Sequence, residues 1–440
     1  MSFQKKLNRF ILERFKPKFL YLGLLFLAIW SITSHVLGAT GLASEPVTVT
    51  VLMQAPEARE WQSTLSEFEK KYPKINLKIV EGPNQSNQIE DLYTSSFLLG
   101  NSPYDLVFLD TVWTYKFAAA GWLRNISERI SEPELAQFLS TEIEAGQYQG
   151  NLYRIPLRSD VGMLYYRSDL LAQGGYNPPE TFAELMEIAQ TLQKKGLADL
   201  GYLWQGKQYE GLSAMFVEIL EGYGGFWVAP DTLEVGLDQP EAIRAVQFLR
   251  STIEEGVSPP GVTTYTEDET RLLFQNGRGL FLRNWPYVYG FASQDNSPIQ
   301  GKFGIKPMVH ASGYQSGACQ GGWGLGIAST SKHPLEAWKV IEFFSSKDVQ
   351  RQFILATGKV PSRTALFNDP AIVAKYPHYP ELLKVLNQAV LRPPIPQYAQ
   401  TSDILQRYLS AALTGKISPE EAMTSAAAET RRLLGKTAQN

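Results

Sequence analysis

Asp110 ends a short apolar run, Tyr104-Asp-Leu-Val-Phe-Leu-Asp110, and a carboxylate in that place has two uses. It caps the helix that follows by accepting backbone N–H groups, or it faces a crevice and accepts hydrogen bonds from ligand hydroxyls. Sequence alone leaves both open. Other reactive types are sparse. The one cysteine, Cys319, forms no intramolecular disulfide. The four histidines, His35, His310, His333 and His378, are scattered, and none stands at metal-ligand spacing to another. A metalloenzyme is therefore not expected, and no cofactor is called for. Aromatic side chains are abundant instead, with nine Trp, 21 Tyr and 22 Phe. Most aromatics fill cores, so a role in recognition has to come from local context.

An α/β frame accounts for the position of Asp110. Val47-Thr-Val-Thr-Val-Leu52 alternates as a strand does, and Trp61 to Lys71 carries helical apolar spacing at Trp61, Leu65 and Phe68 before Pro73 stops it. Ile75 to Val80 alternates again, Ile89 to Leu99 reads as a helix, and the run ending at Asp110 reads as a buried parallel strand. That β-α-β-α-β order predicts a doubly wound sheet with ligand sites at the carboxyl ends of its strands. Further strands are predicted at Leu152–Pro156, Gly162–Tyr166, Gly279–Phe281, Phe303–Val309 and Gly322–Ala328. Thr181 with Glu184 forms a capping box. Helices are predicted at Pro240–Glu254, His333–Ser346, Ile404–Leu413 and Pro419–Leu434.

The whole chain has 440 residues, which is more than one typical core and suits two lobes. With 44% hydrophobic and 19% charged residues it is a folded globular protein. Its 41 basic and 44 acidic residues leave a net charge of −3, which gives no electrostatic case for nucleic acid. The N-terminus reads as an export segment over 1–43. A basic start (Lys5, Lys6, Arg9, Arg14, Lys16, Lys18) precedes an apolar run from Phe19 to Trp30, and small residues follow at Gly38 to Ser44. Cleavage after Ala43 or Ala39 makes it a signal peptide; without cleavage, Phe19 to Leu37 would serve as an N-terminal membrane anchor. Either way the bulk of the protein is expected outside the cytoplasm, in the periplasm.

Eight stretches, in order and spanning essentially everything after residue 45, resemble the family 1 extracellular solute-binding proteins of ABC sugar importers, with the trehalose/maltose-binding branch as the nearest pattern. They are Glu67-Phe-Glu-Lys-Lys-Tyr-Pro73, Asp105 to Asp110, Gly162 to Leu171, Trp204 to Gly211, Arg283-Asn-Trp-Pro-Tyr287, Gly321-Gly-Trp323, Val360-Pro-Ser-Arg363 and Gly415 to Ala422. The resemblance implies a two-lobed α/β periplasmic-binding-protein fold, type II and maltose-binding-protein-like, with discontinuous lobes joined by a hinge. Carried over, the first lobe covers 45–155 and 312–360, and the second 156–311 and 361–440. It implies a small carbohydrate as ligand, ABC permease subunits as membrane partners, a monomer, and no enzyme activity.

A sugar presents hydroxyls at its edge and an apolar C–H face, so its site needs charged or amide groups for the one and flat rings for the other. The resemblance places the family's carboxylates on Glu57, Asp110 and Asp160. Its stacking rings fall on Trp285 and Trp323, with Tyr287 beside the first, its close backbone approach on Gly321 and Gly322, and a late-chain arginine on Arg363. Two departures stand out. Arg158 occupies a place where the branch carries Tyr, two residues before Asp160. Where the branch sets a sugar-reading Arg on the helix at 87–91, this chain has Glu90 and Asp91, with Asn87 and Gln88 a turn before. Asn87, Asp91 and Arg158 accordingly join the candidate ligand-binding set. Kept rings with altered edge-reading groups imply an α-glucoside, from the class of trehalose, maltose, sucrose and glucosylglycerol, other than trehalose or maltose themselves. The rival classes are a secreted glycoside hydrolase, which also sets Trp and paired carboxylates in a cleft, and a subunit that presents sugar to a membrane receptor.

Overall fold

The computed structural model describes residues 46–387 and 389–437; the export segment predicted over 1–43 lies outside them. The first sheet is built on β1 (Val47–Gln54), β2 (Ile75–Gly82) and β3 (Leu106–Asp110), in the order β2-β1-β3. β1 and β3 run parallel with Val51 opposite Leu106. All five residues of β3 are buried, which is why it reads as an unbroken apolar run rather than an alternating one. Helix α1 (Ala55–Lys71) begins six residues before the predicted Trp61 start, with Pro56 in its first turn, where proline fits. Its Trp61 stacks on Phe353 of helix α8 (Lys347–Thr357), with ring centroids 3.7 Å apart, and meets Phe344 of α7 (Pro334–Phe344) edge-on at 5.1 Å. Helix α2 (Ser86–Leu98) follows β2.

Two short strands, β4 (Gln147–Tyr148) and β5 (Asn151–Leu152), form a hairpin, and the chain then enters β6 (Ile155–Val161). The predicted strand at Leu152–Pro156 therefore lies displaced toward the C-terminus. Arg158, Ser159 and Asp160 interrupt its apolar pattern, yet β6 is where they belong. Gly162 separates β6 from β7 (Met163–Arg167), which enters a second sheet of order β10-β7-β9-β8, with β8 at Leu200–Leu203, β9 at Gly279–Asn284 and β10 at Phe303–Lys306. A Cβ on Gly162 would stand 1.5 Å from Glu218 Oε1, so no other residue fits this passage. Glu218 belongs to helix α4 (Glu210–Gly222) and pairs with the Arg283 guanidinium; both side chains are fully buried.

The long strand β11 (Ala318–Ile327) joins the first sheet beside β3. It runs antiparallel to β3 and to β6, and its start pairs with β12 (Ala389–Val390). Cys319, on β11, is fully buried, and burial pushes its thiol up to about 12. The capping box predicted at Thr181 and Glu184 opens helix α3 (Phe182–Lys194), with both of its hydrogen bonds made. Helix α5 spans Pro240–Glu254, as its sequence predicts. Helix α6 (Glu267–Gln275) opens on a second capping box, Thr266 with Glu269. The remaining long helices are α9 (Tyr379–Leu386), α10 (Tyr398–Leu413) and α11 (Pro419–Thr437). Among the described residues no helix is long and apolar enough to cross a membrane, and no cluster of His, Cys, Asp and Glu could hold a metal ion.

Candidate binding site

Strand register brings the predicted residues together. On β11, Trp323 stands opposite Asp110 of β3 on one side and Arg158 of β6 on the other. Gly321 stands opposite Asp160, and Gly322 opposite Ser159. Gly322 has φ +145°, a conformation that side chains rarely adopt, and a Cβ there would meet the buried carboxylate of Glu142 at 2.1 Å. A Cβ on Gly321 would press on Asp160 and on the Trp285 ring, each at 3.1 Å. Gly322 is thus required by how closely β11 passes its neighbours, while a side chain at Gly321 would need Asp160 and Trp285 to give by a few tenths of an ångström.

These residues line a cavity of about 550 Å³. Nine predicted residues reach it: Glu57, Asp110, Arg158, Asp160, Trp285, Tyr287, Gly321, Gly322 and Trp323. Three do not. Asn87 turns its side-chain oxygen to the backbone N–H of Glu210 at 3.1 Å. Asp91 is exposed on α2. Arg363 is 4% exposed and its guanidinium is consumed elsewhere: it donates to the Ser345 carbonyl at 2.6 Å and to Gln137 at 2.9 Å, pairs with Glu134, and lies 4.3 Å over the Phe138 ring. The late-chain arginine at the cavity is Arg392 instead.

Arg392 sits in the loop after β12, and nothing periodic in that loop marks it. It donates to Asp110 at 3.1 Å, to Glu210 at 2.6 Å and to the Thr111 hydroxyl at 3.3 Å, while its Nε has no protein partner. Asp110 also caps the short turn Thr111–Trp113 through Val112 N at 3.4 Å, so the capping use foreseen for this carboxylate is made while the side chain also lines the cavity. Burial pushes the Glu210 carboxyl up, opposed by Arg392 and by the hydroxyls of Tyr398 and Ser402.

On the β6 side of Trp323, Arg158 Nε donates to both Glu57 oxygens at 3.1 and 3.2 Å, and its Nη1 pairs with Asp160. Lys359 pairs with Glu57 and Glu60. Burial pushes Glu57 up, but Arg158 and Lys359 overturn that and hold it at about 2. Sequence reasoning passed over Lys359 and Glu60; Lys359 directly precedes the Val360-Pro-Ser-Arg363 motif, and Glu60 lies one turn along α1 from Glu57. In all, eight carboxylates and four cations line the cavity, so an anionic ligand is disfavoured and a neutral polyhydroxylated one is not.

The rings differ in setting. Trp285 is half-buried, with the Arg283 guanidinium 4.2 Å over its ring and its indole N–H reaching Glu267 at 3.3 Å. Tyr209 donates its hydroxyl to the other Glu267 oxygen at 2.5 Å, which fixes this carboxylate between the two aromatics. Trp323 is 7% exposed and stacks on Phe108 at 4.8 Å.

A cavity walled by indoles, carboxylates and cations suits a small polar solute. The chain belongs to the bacterial extracellular solute-binding proteins, whose family model matches residues 54–351. A probable ABC transporter-binding protein of Deinococcus radiodurans is 30% identical over 368 residues, covering 82% of this chain and 87% of that one. Maltose-bound T. maritima MalE3 superposes with a TM-score of 0.83 at 36% identity, covering 88% of this chain and all of that one. A solute-binding protein of Thermotoga lettingae with bound α-D-tagatose gives 0.79 at 27% identity, covering 89% and 100%. The protein is thus a sugar-binding component of an ABC importer family and not an enzyme; small carbohydrates and permease subunits are the partners that family implies.

Proposed function

We propose that the protein captures an α-glucoside of about disaccharide size between its lobes and delivers it to a membrane permease. The observation that carries this reading is the Trp285 ring standing in one cavity with Asp110 and Asp160, a flat face beside ionised edge acceptors. The 36% identity to a maltose-bound protein supports the glucoside class. Within the class, Arg158 packed at 6.0 Å on the Trp323 ring supports ligands other than trehalose and maltose, such as sucrose or glucosylglycerol. The helix at 87–91 brings no arginine to the cavity, since Glu90 is buried against Lys116 at 2.9 Å.

Ligand shifts a two-lobed protein toward closure only through contacts that the closed state makes better. Arg392, bonded to both Asp110 and Glu210, is a junction of this kind. We place the first lobe at 45–155 with 312–360, supported by the stack of Trp61 on Phe353. The second takes 156–311 with 361–440, supported by the Ser213–Ser402 hydrogen bond at 2.9 Å. We further read the protein as a monomer exported to the periplasm, with the segment 1–43 either cleaved or kept as a tether.

Calorimetric titration with maltose, trehalose, sucrose and glucosylglycerol, and with tagatose as the ketose control, tests the reading. Tight binding confined to α-glucosides is expected. Binding of tagatose alone overturns the class, and trehalose or maltose binding as tightly as the rest removes the narrower preference.

A further inference from the structure

Five charged groups from three segments meet at the α1 end of the cavity. Glu57 and Glu60 lie one turn apart on α1, Arg158 and Asp160 alternate on β6, and Lys359 follows Gly358, the left-handed cap of α8 at φ +72°. The Lys359 side chain is 14% exposed. Its backbone is anchored by the Tyr379 hydroxyl, which donates to the carbonyls of Gly358 and Lys359 at 2.9 and 3.0 Å. Three carboxylates therefore share two cations in a largely dry place.

We propose that Lys359 is a positioning residue of the binding site: its ammonium lets Glu57, Glu60 and Asp160 stay ionised side by side, which keeps Glu57 and Asp160 as hydroxyl acceptors and Arg158 in place beside the Trp323 ring. The consequence for sugar binding rests on the function proposed above; the charge balance itself does not.

Burial leaves the carboxyls of both Glu60 and Asp160 raised overall; Lys359 is the chief opposing charge at Glu60, and at Asp160 it opposes burial after Arg158. The other polar and titratable groups facing the cluster bring no positive charge. Trp61 donates its indole N–H to Glu57 at 3.0 Å. The Glu142 carboxylate lies near Asp160, as do the phenols of Tyr165 and Tyr379, both pushed up by burial. Without Lys359 the three carboxylates would face Arg158 alone. Like charges crowded away from water cannot all ionise, so one would take up a proton.

Thermal unfolding of ligand-free wild type, Lys359→Met and Lys359→Arg across roughly pH 4 to 8 tests this. Loss of the cation raises folded-state carboxylate pKa values. A group raised on folding stabilises below its unfolded pKa, and that stability is lost as pH rises through the folded value. The Tm deficit of Lys359→Met should be small at the acid end and widen toward the alkaline end. Lys359→Arg should restore most of it, and the double variant Lys359→Met/Glu60→Gln, with one carboxylate fewer, should narrow it. A deficit constant across the range, or one that arginine leaves unrepaired, overturns the proposal. Should Lys359→Met fail to fold at the alkaline end, recovery at the acid end supports the proposal, and failure at both overturns it. In a parallel sucrose titration the variant should bind about tenfold more weakly, the cost of one charge-assisted contact. Wild type that binds no α-glucoside would strike the transport function alone, because the ligand-free profile decides the ion cluster.

Discussion

Trp285 and Trp323 line one cavity and hold opposite positions in it. Trp323 lies on β11 with Phe108 stacked at 4.8 Å, Trp113 edge-on at 5.3 Å and Arg158 at 6.0 Å. Trp285 stands just past β9, half-buried, with a cation over its ring and its N–H tied to Glu267. One indole is held by ring neighbours in a sheet, the other by polar groups at a strand's end. The same residue type is thus a packed wall in one place and a half-buried ring in the other, and what decides is which neighbours already occupy its faces.

The sharpest way to break this contrast is truncation. Trp323→Ala should cost about 3–5 kcal/mol of stability, the usual result of emptying a buried indole site, measured by chemical denaturation; an affinity loss with stability intact would make Trp323 a ligand platform instead. Trp285→Ala should reverse the pattern, with affinity for the sugar weakened by about 2–4 kcal/mol in calorimetry and little change in denaturation midpoint. If both effects fall on stability, Trp285 is core. The setting of Trp323 is sharpened by pH, because Glu57 holds Arg158 beside it. A carboxyl depressed on folding adds stability above its unfolded pKa, and that is lost as pH falls through the folded value. The gap between wild type and Glu57→Gln should therefore close as pH drops from ordinary carboxylate values to about 2, and a gap that persists there would mean that Glu57 acts by shape alone. The smallest change concerns Trp285: Glu267→Gln replaces the carboxyl partner of its N–H and should weaken sugar binding by about 0.5–1.5 kcal/mol, with unchanged affinity showing that the ring is oriented by Arg283 alone.

How far the sequence disclosed these settings varied with the kind of element. β1, β3 and the box at Thr181 were legible because each obeys a local rule: alternation, an apolar run, and a paired cap. β6 was misplaced because the residues that serve the cavity, Arg158 and Asp160, break the apolar pattern that marks a strand. α4 has twelve of thirteen residues buried and so shows no polar face by which to phase it. At the site, the residues tied to recognisable motifs on β6, β9 and β11 were found, and the cations Lys359 and Arg392 were not. Both belong to irregular segments, where no period links a residue to its neighbours in space. Arg363 was the plausible choice, and only its burial beside Ser345, Gln137 and Glu134 shows that it is held away from the cavity.

Cys319 is the sole thiol in the chain, enclosed in β11 and held protonated by its surroundings. A maleimide dye added to the folded protein would therefore find no native attachment point. Placing one new cysteine on the cavity rim, at Asn84 for instance, would yield a single-label conjugate whose emission reports loading in real time, turning the molecule into its own sugar gauge.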